Sequence, residues 1–253
     1  MTTTTAASEE TGNQPRSERW IGSKYWSEGA RPAMTLNDII ATADQCVVAF
    51  DGGGLDDLLS MSVLGRNAKT RKWMHWSKVW ADSDILTLRK EISEPLAGLV
   101  AEGDLTLVND LEAEAFPAIV GLCDQLRQAQ LLPDEGGFGM PPDGVSTIVD
   151  ALIDADFTDD DIWGISQGWR MNWAVELTPV KLKNDSLRHC DQPHMRWCAS
   201  EAKTERRGNS LLVTKERSAP ALVGPLLALF SSVLLMNRAL VSGEQRQAEH
   251  TGK

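Results

Sequence analysis

The stretch CVVAFDGGGLDDLLSMSVLG, Cys46 to Gly65, constrains the fold of this chain more than any other. An apolar run ends in Asp51, three residues without side chains follow, and Asp56 and Asp57 lead into a second apolar run. Short apolar runs bounded by turn residues are buried strands. A third run follows at once, so strands are expected over 46–50, 59–64 and 72–81, joined by DGGGLDD and GRNAKTR. In the last of them Trp73, His75, Ser77 and Val79 alternate with Met74, Trp76, Lys78 and Trp80. Such short links imply an antiparallel meander. The glycine turn has two readings. It is a tight link with solvated acids, or a metal site whose glycines let a phosphate approach a carboxylate.

Around the meander, helices and strands alternate. Residues 35–43 read as a short helix, with Thr35 as its cap and Asp38 at the third position. After the meander come a helix over 85–101 that stops at Gly103, a strand LTLVND and an amphipathic helix over 113–130. GFGM is a strand, 144–157 a helix, DIWGIS a strand and 169–182 a helix. A polar region, a strand NSLLVTKE and an apolar terminal helix complete the chain. A meander followed by α/β alternation around one mixed sheet with flanking helices is the pattern of the ribonuclease H-like fold. A flavodoxin-like sheet would begin strand-helix-strand, and here three strands precede the first long helix.

Charge and composition narrow the function classes. The chain of 253 residues is 42% hydrophobic and 24% charged, which suits a soluble globular protein with a real core. A net charge of −11 speaks against a general coat for nucleic acid but leaves room for a local basic groove. The densest basic group is Arg188, Arg196, Lys203, Arg206 and Arg207, either a phosphate-contacting patch or an ordinary solvated face. Four scattered cysteines and no signal peptide point to a reducing cytoplasm. Residues 1–18 read as a disordered polar lead, 19–240 as the folded domain and 241–253 as a polar tail. The apolar stretch 219–236 is broken by Pro220, Gly224, Pro225 and two serines and has no basic flank at its start. It is expected to be a buried helix, with no membrane as partner. His189, Cys190, His194 and Cys198 have zinc-competent side chains, but their spacing matches no standard finger, and zinc is not expected. The tryptophans, Trp73, Trp76, Trp80, Trp163, Trp169 and Trp173 among them, are expected in the core, because duplex DNA offers no free base faces.

The run from Arg19 to about Met236 resembles the nuclease domain of a bacteriophage terminase large subunit, of the YmfN-like prophage type. The resemblance rests on RWIGSKYW, FDGGGLDDLLSMSVLGR, TRKWMHWSKVWA, GISQGWRM, WCASEAKTERRGNSLLVTK and GPLLALFSSVLLM, in the family's order and spacing. It implies a ribonuclease H-like fold and a metal-dependent endonuclease acting on concatemeric double-stranded DNA during packaging in the bacterial host's cytoplasm. Two divalent ions, Mg²⁺ or Mn²⁺, would be the cofactors of an active member, and portal or the small terminase subunit would be partners. Asp51 corresponds to the family's first acid, and Asp56 and Asp57 stand near enough in sequence to share its metal, with Asp57 the expected helper in catalysis. The family's second acid is replaced by Pro141, with Asp143 nearby as a substitute, and its third by Gly224. The expectation is a nuclease domain with a damaged centre, or a non-catalytic module that binds DNA or a packaging partner. The G-x-x-x-x-G-K-[ST] signature of the family's ATPase motor has no match, since GRNAKT lacks the second glycine.

Overall fold

The computed structural model describes residues 18–141 and 146–251, so Asp143 and nearly all of the polar lead lie outside the described residues. The strands are β1 (Glu18–Arg19), β2 (Gln45–Asp51), β3 (Leu59–Arg66), β4 (Trp73–Asp82), β5 (Leu105–Val108), β6 (Phe138–Met140), β7 (Ile162–Gly164), β8 (Leu187–His189), β9 (Lys203–Arg207) and β10 (Ser210–Val213). The helices are α1 (Trp26–Gly29), α2 (Leu36–Thr42), α3 (Ile85–Leu88), α4 (Ser93–Ala101), α5 (Phe116–Gln128), α6 (Ser146–Asp154), α7 (Asn172–Lys183), α8 (Pro193–Glu201), α9 (Lys215–Ser218) and α10 (Gly224–Thr251).

The meander is present. Asp51 pairs with Ser60 across β2 and β3, and Leu59 with Trp80 across β3 and β4, both antiparallel. The main sheet has the order β5-β4-β3-β2-β6-β7, with β8 beside the start of β4. β6 runs parallel to β2, β7 to β6, and β5 and β8 both to β4. β2 is therefore interior, and every residue from Cys46 to Asp51 is buried. That explains its unbroken apolar run, which a strand covered on both faces requires.

Side-chain alternation sends β2 to two cores. Cys46, Val48 and Phe50 pack with Ile119, Cys123 and Leu126 of α5 and with Ile148 and Leu152 of α6. Val47 and Ala49 pack with Leu226, Phe230 and Val233 of α10. Asp51 follows in the second series, so it points to the α10 side. Thr35 and Asp38 form the expected capping box on α2, the Thr35 amide donating to Asp38 Oδ2 at 2.8 Å. The apolar segment Gly224–Ser242 is 72% buried, as a core helix. Trp20 meets it edge-on at Phe230, with ring centroids 5.3 Å apart.

Three expectations need correction. The helix over 85–101 is broken into α3, a 3-10 turn and α4, because Pro95 has no N–H to give the Glu91 carbonyl and its ring crowds that turn, which favours a helix that starts just before it. The strand in NSLLVTKE does not join the main sheet. It pairs with β9 from the supposed polar region, through a turn at Gly208 with φ of 61°, and with β1 forms a separate three-stranded sheet. Helix α8, also in that region, was not foreseen. Finally, Trp163, Trp169 and Trp173 are exposed, Trp169 by 68%, whereas Trp73 and Trp80 are buried.

Candidate functional site

The carboxyl ends of β2, β6 and β7 converge because the three strands run parallel, and Asp51 stands at that edge. The turn after it explains two of its glycines. Gly52 and Gly53 have φ of 82° and 105°, and a Cβ on Gly52 would lie 1.9 Å from the Leu58 carbonyl oxygen. The chain returns so tightly that only glycine fits. This requirement is the turn's own.

Asp51 is 1% exposed. Its Oδ1 accepts a hydrogen bond from Gln167 Nε2, on the loop after β7. Its Oδ2 lies 2.8 Å from the Nζ of Lys215, at the start of α9, and the same ammonium lies 2.7 Å from Asp57 Oδ2. The other oxygen of Asp57 accepts from the Leu58 amide at 2.9 Å. Burial raises the Asp51 carboxyl above its ordinary value, and the Lys215 charge opposes that rise. For Lys215, burial works against the charged form, but the two carboxylates outweigh it and the ammonium holds its proton more firmly than usual. A buried acid is thus kept in place by a partner distant in sequence.

The two positions where acids were expected both lie beside Asp51. A Cβ on Gly224 would stand 3.1 Å from Asp51 Oδ2 and 3.2 Å from Ser60 Oγ. The parallel register pairs Val48 with Phe138 and Ala49 with Gly139, and continued by two residues it brings Pro141 alongside Asp51. Neither residue offers a side-chain oxygen. Asp56 lies on the exposed turn, where its carbonyl accepts from Arg89. Among the described residues no three His, Cys, Asp or Glu side chains are grouped so as to hold a metal ion.

The basic group is dispersed over three elements. Arg188 on β8 is bound to Asp185, 2.7 Å from its Oδ2, and Asp185 also takes Arg31 at 2.6 Å and Lys72 at 2.8 Å. Arg188 and Lys72 hold the Asp185 carboxyl far below the usual carboxylate range. Arg196 on α8 lies 3.4 Å from Asp191, and Arg207 on β9 lies 3.3 Å from Glu205. Among the described residues, no ion pair engages Lys203 or Arg206.

The zinc-competent set is also occupied otherwise. His189 Nε2 bonds to the Trp26 carbonyl at 2.7 Å, His194 Nδ1 lies 2.7 Å from Asp104, and Cys198 Sγ donates to the Leu222 carbonyl. Burial pushes the Cys190 thiol up to about 12, so it keeps its proton. Sequence reasoning missed Lys215 and Gln167. Their one signal is position, each lying just past the end of a strand.

No protein-family profile and no curated protein matches the sequence. Solved structures do. The large terminase of bacteriophage HK97 superposes with a TM-score of 0.67 at 17% identity, over 86% of this chain and 43% of that one. The large terminase nuclease of thermophilic phage G20c with bound cobalt gives 0.47 at 8% identity, over 83% and 95%. The human cytomegalovirus terminase nuclease domain, Mn soaked and inhibitor bound, gives 0.37 at 8% identity, over 67% and 74%. The fold is that of the HK97 protein's matching part, a helix-flanked mixed sheet of ribonuclease H-like type, and the chain spans under half of that terminase.

Proposed function

We propose that residues 19–240 form a terminase-type nuclease module, of the YmfN-like prophage kind, that associates with double-stranded DNA in the bacterial cytoplasm without cutting it. The observation that supports this most is the company Asp51 keeps. A lysine and a glutamine contact it, and Gly224 and Pro141 stand where further acids would be. The fold's implied pair of Mg²⁺ or Mn²⁺ ions calls for several carboxylate oxygens around one cleft. Asp51 and Asp57 are two acids already balanced by Lys215. The residues present do not fit the ion pair.

Lys203 and Arg206, without ion-pair partners among the described residues, are the cations best placed to meet phosphates. Portal or the small terminase subunit is the alternative ligand for the same scaffold.

Purified protein with Mg²⁺ or Mn²⁺ should leave plasmid DNA intact. Pro141→Asp together with Gly224→Asp supplies the missing acids, whose added negative charge draws metal in against the Lys215 ammonium, and metal-dependent nicking should then appear, while either change alone does little. Robust cutting by the unmodified protein, lost in Asp51→Asn, overturns the reading. Asp143→Asn would then tell whether that acid has taken over. DNA association is read separately by mobility shift. Lys203→Ala with Arg206→Ala should weaken binding and flatten its salt dependence, and unchanged binding would leave these residues an ordinary solvated face.

A further inference from the structure

The mismatch between fold and metal has a positive side. We infer that the ammonium of Lys215 is the resident cation of this site, and that the oxygens behind it form a latent divalent-cation site which the lysine closes. This deepens the non-cutting reading above and rests on it.

Lys215 bridges two carboxylates, one of them almost fully buried, at 2.8 and 2.7 Å. A cation held between two acids at such distances occupies the place a hard metal ion would take. Its aim is fixed from both sides. The Thr214 side chain caps the first turn of α9, accepting from the Arg217 amide at 3.3 Å, and β10 ends just before it. Asp57 is fixed by its bond to the Leu58 amide, and Asp51 by Gln167. The lysine therefore also clamps the small sheet's exit to the end of β2.

Other oxygens stand close by. Ser60 Oγ and the Leu58 carbonyl lie 3.2 and 3.7 Å from where a Gly224 Cβ would stand, beside Asp51 Oδ2. With the ammonium removed, two carboxylates, a hydroxyl and a carbonyl would face one another with nothing to balance them. That is an oxygen-rich, net negative cage, suited to a hard divalent ion. A cleft of about 230 Å³, lined by Gln167, Gly168, Thr214 and Lys215 among others, opens beside the two side chains that contact Asp51. With the ammonium present, an entering dication meets a like charge that already lies 2.8 and 2.7 Å from the two carboxylates.

The probe is Mn²⁺ alone, read by calorimetry and by thermal unfolding, with no DNA and no activity assay. In the unmodified protein Mn²⁺ should produce no binding that depends on Asp51. Lys215→Met keeps the apolar stem and removes the charge. It should bind Mn²⁺ at least about tenfold more tightly than the unmodified protein, and its melting temperature should rise with millimolar Mn²⁺. Adding Asp51→Asn should abolish the gain, and Lys215→Arg should show none. If Lys215→Met folds only when Mn²⁺ is present, the inference stands in its strongest form. If it folds under neither condition, calorimetry on the unmodified protein decides, with Asp51-dependent Mn²⁺ binding counting against the inference and its absence supporting it. Asp51-dependent binding with Lys215 in place, or no gain in Lys215→Met, overturns it. Plasmid cutting is measured separately, so Mn²⁺ results that overturn this inference while DNA stays intact leave the non-cutting reading in place.

Discussion

Two polar clusters lie under the same helix, and they solve the problem of burial in opposite ways. Near Gly224, at the start of α10, Asp51 meets Lys215, Asp57 and Gln167. Further along, Ser232 Oγ lies 3.0 Å from Ser62 Oγ, and Ser62 Oγ lies 3.0 Å from His75 Nε2. Ser60 and Ser62 are two apart on β3, so both clusters occupy one face of the sheet. The first is built from charges that cancel. The second is built from two serine hydroxyls and the imidazole of His75, which is buried and whose pKa is held well below its ordinary value. A cluster held by charge fails when a partner is lost. A cluster held by neutrality fails when it gains a proton.

The largest expected effect follows from breaking the charged cluster. Lys215→Met in metal-free buffer leaves Asp51 buried without its counter-charge, which should cost about 2–3 kcal/mol in denaturant unfolding at neutral pH. The Lys215 side chain is 42% exposed, so the loss stays below that of a wholly buried pair. Adding Asp51→Asn removes the stranded charge and should restore part of the stability. A double variant no more stable than Lys215→Met would mean that charge pairing is not what holds this cluster.

Acid should separate the clusters next. Burial, and then the nearby imidazoles of His189 and His194, hold the His75 pKa well below its ordinary 6.5, and burial likewise lowers that of His189. A base with a depressed folded pKa binds its proton more readily when unfolded. Its contribution is therefore intact above pH 6.5 and lost as pH falls toward the folded value. The slope is up to about 1.4 kcal/mol per pH unit for each histidine that stays neutral. Asp51 works in the other direction, since its raised carboxyl takes up a proton more readily in the fold. Comparing unmodified protein with His75→Asn from pH 7 to 5 isolates the histidine, and the variant should lose less stability. Parallel curves would place the acid sensitivity elsewhere.

The contrast also marks what could be read in the sequence. The meander, the interior placement of β2 and the capped helix α2 were legible because each rests on local pattern: apolar runs, turn residues and a Thr-x-x-Asp box. Asp51 was legible for the same reason, as an acid ending a buried strand. Lys215 and Gln167 were not, because their meaning depends on contacts made 164 and 116 residues away. Only the convergence of parallel strand ends joins Gln167 to Asp51, and only the separate small sheet brings Lys215 there. That sheet was hidden because β9, KTERR, is polar and short, with no apolar run to betray a strand. The exposed Trp163, Trp169 and Trp173 were misplaced because composition favours burying tryptophan without saying which ones the fold can cover.

Salt gives the smallest effect and the finest discrimination. At about 1 M NaCl the screening length falls to about 3 Å, which touches an ion pair only where solvent reaches it. Lys215 is partly open through the cleft beside Gln167, so its pair with Asp51 and Asp57 should weaken slightly. The stability gap between unmodified protein and Lys215→Met should then shrink by a few tenths of a kcal/mol. The His75 cluster offers salt no charge to screen, so the gap for His75→Asn, measured at pH 7 beside it, should not move. An equal shift in both gaps would show that salt acts on the fold as a whole. A shift in the histidine gap alone would mean that His75 carries charge at neutral pH, and the two clusters would no longer differ in kind.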